Sequence, residues 1–155
     1  MLGHYRILEK LGAGGMGEVC RARDERLGHD AAIKLLPSNV VADEFVRKRL
    51  RKEAQALSKL NHPNSEILFE LGSKEDTEFL VVEYVPGITL DDRLVQGPLP
   101  EREIARLGAQ LANGLAAAHR MKVKRLIYRY FCLLTSAFVS RAYEPSVGRW
   151  RRLPR

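Results

Sequence analysis

Leu11-Gly12-Ala13-Gly14-Gly15-Met16-Gly17-Glu18-Val19, answered by Ala31-Ala32-Ile33-Lys34, is the stretch on which the reading of this chain turns. Glycines 12, 14 and 17 stand in the order Gly-x-Gly-x-x-Gly. That spacing lets backbone amides approach a phosphate, because a side chain at these positions would block the amides or forbid the backbone angles required. A dinucleotide-binding loop of this pattern follows a strand and opens a helix, whereas Glu18 to Arg23 continues as strand-like alternation. A nucleoside-triphosphatase loop places Lys and then Ser or Thr directly after its last glycine, and here Gly17 is followed by Glu18. With both excluded, the stretch reads as a glycine hairpin between two strands and a third strand that carries Lys34 back to whatever the hairpin covers.

Gly-x-Gly-x-x-Gly-x-Val followed by Ala-Ile-Lys resembles the protein kinase family, in particular bacterial serine/threonine kinases. The resemblance runs from about residue 4 to 119 and implies an α+β fold: a kinase-like small lobe of five antiparallel strands and one long helix, then the first helices of an incomplete helical large lobe. The expected division is 4–85 for the ATP-binding lobe, 86–121 for the hinge and first large-lobe helices, and 122–155 for a basic tail of no recognisable fold.

The residues support these elements independently. His4 to Leu11 and Glu18 to Arg23 alternate as paired strands, and Asp30 to Leu36 makes a third that ends at Pro37. A period of two puts Ala32 and Lys34 on one face and Ile33 and Leu35 on the other. A helix is predicted from an N-cap at Asp43 to Leu60, stopped by Asn61 and Pro63. Its inward stripe is Val46, Leu50, Glu53, Leu57 and Leu60, so one member of an apolar stripe is a glutamate. A buried carboxylate needs a partner, and Lys34 is the natural one; the alternative is a glutamate at the stripe's edge that reaches water. Glu66 to Gly72 and Glu78 to Val85 form a second hairpin, with His62 in the turn before it as a structural hydrogen-bonder.

For the site, the resemblance implies that Gly12, Ala13, Gly14, Gly15, Met16 and Gly17 cover the phosphates of ATP, and that Lys34, held by Glu53, contacts them. Val19, Ala32 and Val82 would wall the purine, while Glu83 offers a main-chain carbonyl and Val85 an amide to the adenine edge. Asp91 or Asp92 could reach the ribose, although an acid at a helix start commonly serves the helix itself. From Pro100 to Met121 an amphipathic helix is expected, with Ile104, Leu107, Leu111, Leu115 and Ala118 on one face.

The chain of 155 residues is long enough for one substantial core, while a complete two-lobed kinase needs more. Two distant cysteines, Cys20 and Cys132, with no signal peptide, point to a reducing cytoplasm rather than a disulfide framework. The net charge of +7 is uneven: residues 1–118 hold 16 Lys/Arg against 18 Asp/Glu, and residues 119–155 hold 10 against 1. Such a tail suits nucleic acid or an anionic membrane, but equally a segment outside any folded unit, and the second reading is favoured. The apolar run Leu126 to Val139 is interrupted by Arg129 and falls short of the roughly 20 residues needed to span a bilayer.

The catalytic half of the resemblance fails. A kinase needs an aspartate in its catalytic loop, an asparagine soon after, and a magnesium-holding aspartate beyond that. No aspartate follows Asp92, and the one acid beyond Glu103 is Glu144. Laid on without gaps, the catalytic loop falls at Lys124 to Thr135, with Ile127, Arg129 and Cys132 where the aspartate, lysine and asparagine belong. No catalytic residue and no metal ligand is therefore assigned. The expected function is ATP binding by a kinase lobe incapable of phosphoryl transfer, or else a pseudokinase-like module that binds a protein partner through the helix containing Glu53 and the exposed face of the helix at 102–121.

Overall fold

The computed structural model describes residues 1–14, 17–37, 42–75 and 77–121. Gly15 and Met16 at the hairpin tip lie outside the described residues. So does 122–155, with its expected basic tail, apolar run and catalytic-loop alignment.

Among the described residues five strands and three helices follow one another: β1 (Tyr5–Gly14), β2 (Gly17–Asp24), β3 (Asp30–Leu35), α1 (Glu44–Leu57), β4 (Leu68–Lys74), β5 (Thr77–Glu83), α2 (Leu90–Val95) and α3 (Glu101–Arg120). The strands form one antiparallel sheet in the order β1-β2-β3-β5-β4. The expected α+β small-lobe architecture is therefore present. Glycine 14 pairs with Gly17, so the strands run almost to the tip of the hairpin and little of the glycine stretch is loop.

The period of two holds in the centre of the sheet, and both faces are covered. Ala32, Leu80 and Val82 share one apolar cluster with Leu50, Ala54, Leu57 and Leu60 of α1 and its C-terminal turn. On the opposite face Ala31, Ile33, Phe79 and Val81 pack with Tyr5 and Ala22. Burial on both faces explains why β5 reads as a continuous apolar run rather than an alternation. Ala117 and Ala118 near the end of α3 join the first cluster, and so tie the last helix to the sheet.

Asp43 caps α1 as expected, its Oδ1 accepting from the amides of Phe45 (2.8 Å) and Val46 (3.4 Å). Replacing Asp43 by alanine is expected to cost about 1 kcal/mol, read as a fall of roughly 4 °C in the thermal midpoint. The helix ends at Leu57, three residues before the sequence expectation. From there the bonds tighten, with Lys59 N donating to Ala56 O and Leu60 N to Leu57 O, and this turn still delivers Leu60 into the core.

The second hairpin is shifted relative to its predicted ends, to Leu68 and Glu83. Ile67 sits just before β4 and exchanges bonds with Glu83: the Glu83 amide donates to Ile67 O, and the Ile67 amide donates to Glu83 Oε2. Lys74 pairs with Thr77, and Glu75 has φ +47°.

A second correction concerns α3. Of the expected stripe, Leu107 and Ala118 are buried, but Ile104 is 54% exposed and Leu115 41% exposed. The buried face is instead Leu107, Gly114, Ala117 and Ala118, because small side chains let the end of the helix approach the sheet.

Candidate functional site

The site is built where the glycine hairpin passes over β3. Gly17 has φ +111°, and a Cβ placed on it would lie 2.1 Å from the main-chain oxygen of Leu35. Glycine is thus required here by the return of β2 across β3. Gly12 differs: its φ is not positive, and a Cβ there would meet nothing within 4 Å. Open space beside Gly12 is what close approach of a ligand would need. At the stem of the hairpin Lys10 Nζ lies 2.8 Å from Glu18 Oε2, and this bond holds the Glu18 carboxyl below its ordinary range.

Beneath the hairpin, Val19 is paired with Lys34, Ala32 with Val82, and Lys34 with Leu80. Val19 and Tyr84 pack against the cluster that contains Ala32 and Val82, so the expected purine walls share one apolar surface. The Arg21 guanidinium sits 4.8 Å over the Tyr84 ring and also binds Asp30 and Glu9, which fastens the segment after β5 to β2.

Lys34 is completely buried (0% exposed). Burial lowers its pKa to about 8, and the charge of Glu66 opposes that fall. Glu53 is buried as well, which removes the alternative of a side chain reaching water from the edge of the stripe; its Oε1 accepts from Arg49 Nε at 3.0 Å, one helical turn away. The carboxylate whose charge bears on the buried Lys34 ammonium is that of Glu66. The sequence read Glu66 as the first residue of a strand and gave it no role; it instead precedes β4, where no periodicity assigns it a face. His62 acts structurally, its Nδ1 accepting from the amide of Asn64 at 3.1 Å.

Asp92 is engaged by its own helix. Its carboxylate accepts from Thr89 N and Oγ1, while its amide donates to Thr89 Oγ1, a capping box that closes α2. Among the described residues no three His, Cys, Asp or Glu side chains converge as a metal would require, and no helix is long and apolar enough to cross a membrane. Among the same residues, an open approach at Gly12, a buried ammonium and an apolar wall suit a nucleotide.

A glycine hairpin over a buried strand lysine, in a five-stranded antiparallel sheet covered by a helix with a buried glutamate, defines the small lobe of a kinase-like phosphotransferase fold. The protein kinase domain model matches residues 5–129. The chain is 39% identical over 123 residues to the serine/threonine-protein kinase PrkC of Bacillus subtilis, which covers 78% of this chain and 19% of that protein. It is 40% identical over 117 residues to the serine/threonine-protein kinase pkn2 of Myxococcus xanthus, covering 76% of this chain and 14% of that one. Among solved structures, a cysteine-to-alanine mutant of the Mycobacterium tuberculosis PknI kinase domain superposes with a TM-score of 0.71 at 25% identity, over 77% of this chain and half of that one. The chain belongs to the protein kinase domain family. It spans a fifth or less of these two curated relatives and half of the solved kinase domain.

Proposed function

We propose that the chain is the ATP-binding part of a serine/threonine protein kinase domain and that, alone, it transfers no phosphoryl group. The observation that carries this reading is the fully buried Lys34 on the β3 face it shares with Ala32, beneath a glycine hairpin. Residues 4–85 form the ATP-binding lobe in this reading, 86–121 the hinge and first large-lobe helices, and 122–155 a basic tail; the two widely spaced cysteines support a cytoplasmic location. The hairpin from Gly12 to Gly17 offers amides to the phosphates, Lys34 binds them, and Glu53 holds Lys34. Val19, Ala32 and Val82 enclose the purine, with the Glu83 carbonyl and Val85 amide at its edge. ATP supplies the phosphoryl group when bound, but no aspartate follows Asp92 to orient an acceptor hydroxyl as the family's does.

Thermal unfolding with and without Mg-ATP tests the first half of the proposal. Ligand at about 100 times its Kd adds ~2.7 kcal/mol to the folded state, a rise of roughly 10 °C for a domain of this size. The rise is expected to vanish in Lys34→Ala. No shift in the unmutated chain would sink the nucleotide reading, and transfer above background that Lys34→Ala abolishes would sink the claim of inactivity.

The exposure of Ile104 and Leu115 on α3 favours a second reading, a non-catalytic module that binds a protein partner along that helix. Light scattering that finds a monodisperse monomer at high concentration would count against it.

A further inference from the structure

Beside its buried face, α3 presents an apolar row to solvent. Ile104 and Leu115 are exposed and Leu111 is half-buried, and a step of four, three and four residues from Ile104 through Gly108 and Leu111 to Leu115 lines them up along one side of the helix. Gly108 and Ala112 in the middle of the row are exposed too, and a Cβ on Gly108 would meet nothing within 4 Å. The period of the helix puts Arg102 and Arg106 on the other flank, so the row is uncharged between its ends. Those ends differ in sign. Glu101 and Glu103 stand in the first turn of α3, and His119 and Arg120 in the last.

We propose that this row pairs with the same row of a second copy of the chain, the two α3 helices running antiparallel about a two-fold axis level with Gln110. The proposal rests on the reading of α3 as a partner-binding helix and names the partner. Reversal of the helix maps the row onto itself: Ile104 comes beside the partner's Leu115, Gly108 opposite the partner's Ala112, and Leu111 beside the partner's Leu111. An unrelated protein would have no reason to find that symmetry. Small residues at the centre let the two backbones approach at the short end of the roughly 8–10 Å usual between packed helices, while the large side chains close the seam along one side. Charge selects the direction. Antiparallel pairing sets Glu101 near the partner's His119 and Arg120, at both ends of the seam, whereas parallel pairing would set like charges together. One helix face makes a small interface, so the dimer is weak, with a Kd on the order of 10 μM.

The test is sedimentation equilibrium of the full 155-residue chain across that concentration range, where a monomer–dimer equilibrium is expected. Leu115→Glu puts a charge into the seam and Gly108→Arg fills the space that close approach needs, so each is expected to weaken the dimer at least tenfold. Gly108 is exposed and any ordinary residue there favours a helix, so Gly108→Arg stays folded even should Leu115→Glu not. Glu101→Lys is expected to weaken pairing about threefold, and adding His119→Glu and Arg120→Glu to restore it. All three changes oppose the helix dipole, so recovery cannot come from a sturdier helix. A dimer indifferent to Leu115→Glu and Gly108→Arg lies elsewhere, and overturns both the proposal and the reading of α3 beneath it. A dimer that both variants abolish but the triple charge reversal leaves weak keeps α3 as the surface and overturns the antiparallel pairing. A chain that stays monomeric overturns self-pairing as well. Nile red fluorescence then separates the two claims: dye bound by the unmutated chain but not by Leu115→Glu leaves the row to another protein, and no dye bound removes that reading too.

Discussion

Replacing Gly17 by alanine is expected to lower the thermal midpoint by 10 °C or more, while the same replacement at Gly12 leaves it almost unchanged. The two glycines belong to one motif, yet their surroundings differ. At Gly17 a methyl group meets the Leu35 carbonyl at 2.1 Å and its carbon at 3.3 Å, both main-chain atoms of a central strand that cannot rotate aside. The φ of +111° adds a conformational cost of about 1–3 kcal/mol. Relief would require β2 to lift from β3 where Glu18 pairs with Leu35. A combined loss of ~3 kcal/mol corresponds to roughly 10 °C in a domain of this size. At Gly12 the methyl enters open space, and alanine in a strand is if anything preferred over glycine by about 0.5–1 kcal/mol. Denaturant or thermal unfolding of the two variants makes the comparison. Equal losses would mean that the hairpin does not seat on β3. Gly12→Ala then serves a second purpose: a fold left intact with the Mg-ATP shift abolished would assign Gly12 to the ligand rather than to the chain.

That division between fold and ligand explains what the sequence made legible. Alternation by two around Ala32 and Lys34 sorted the β3 side chains onto their observed faces, because a central strand buried on both sides tolerates no slip in register. The helix cap at Asp43 was legible because it is a local interaction, complete within four residues. The C-terminal end of α1 was not, since it is set by the burial of Leu60 and a tightened last turn, with no glycine to announce it. On α3 the large apolar residues suggested a stripe through Ile104 and Leu115, but contact with the sheet selects the small residues Gly114, Ala117 and Ala118. Hydrophobicity marks what benefits from burial, whereas close helix–sheet approach depends on size.

Charged residues in the interior were the least legible. Glu53 stood out because it broke an apolar helical stripe. Glu78 carried an equivalent signal, being in phase with Leu80 and Val82, but as the first residue of a strand it read as a terminus. Glu66 lies in irregular chain, where only the tertiary fold brings its charge to bear on Lys34. Arg49, which binds Glu53, sits one turn away on the same helix and is one of four basic residues among 47–51, any of which could have filled the role. Residues that neutralise buried charge are chosen by distance through space, and a pattern along the chain records that only when both partners share a periodic element.

The burial of Lys34 has a consequence for pH that is expected to run opposite for stability and for ligand binding. Its pKa is about 8 in the folded chain against an ordinary 10.5. Below pH 8 the lysine is charged in both states, and the folded chain bears the full cost of burying it. Between pH 8 and 10.5 the folded state loses its proton first, the unfolded state holds more protons, and stability therefore rises with pH. The complete gain is on the order of 3 kcal/mol, of which ~2 kcal/mol is reached by pH 9.5. The scan stops there because Tyr5, buried and donating to Glu70, keeps its proton beyond the ordinary tyrosine range, so ionisation above pH 10 favours the unfolded chain. Denaturant unfolding of the unmutated chain and of Lys34→Met at pH 7.5 and 9.5 isolates the effect, since other titrations cancel in the difference. The difference in favour of the unmutated chain is expected to grow by ~2 kcal/mol. The Mg-ATP stabilisation should shrink over the same interval, because a neutral amine no longer attracts phosphate. A flat difference would mean that Glu53 and Glu66 compensate the buried charge in full; a growing difference with an unchanged ATP shift would separate the burial of Lys34 from phosphate binding.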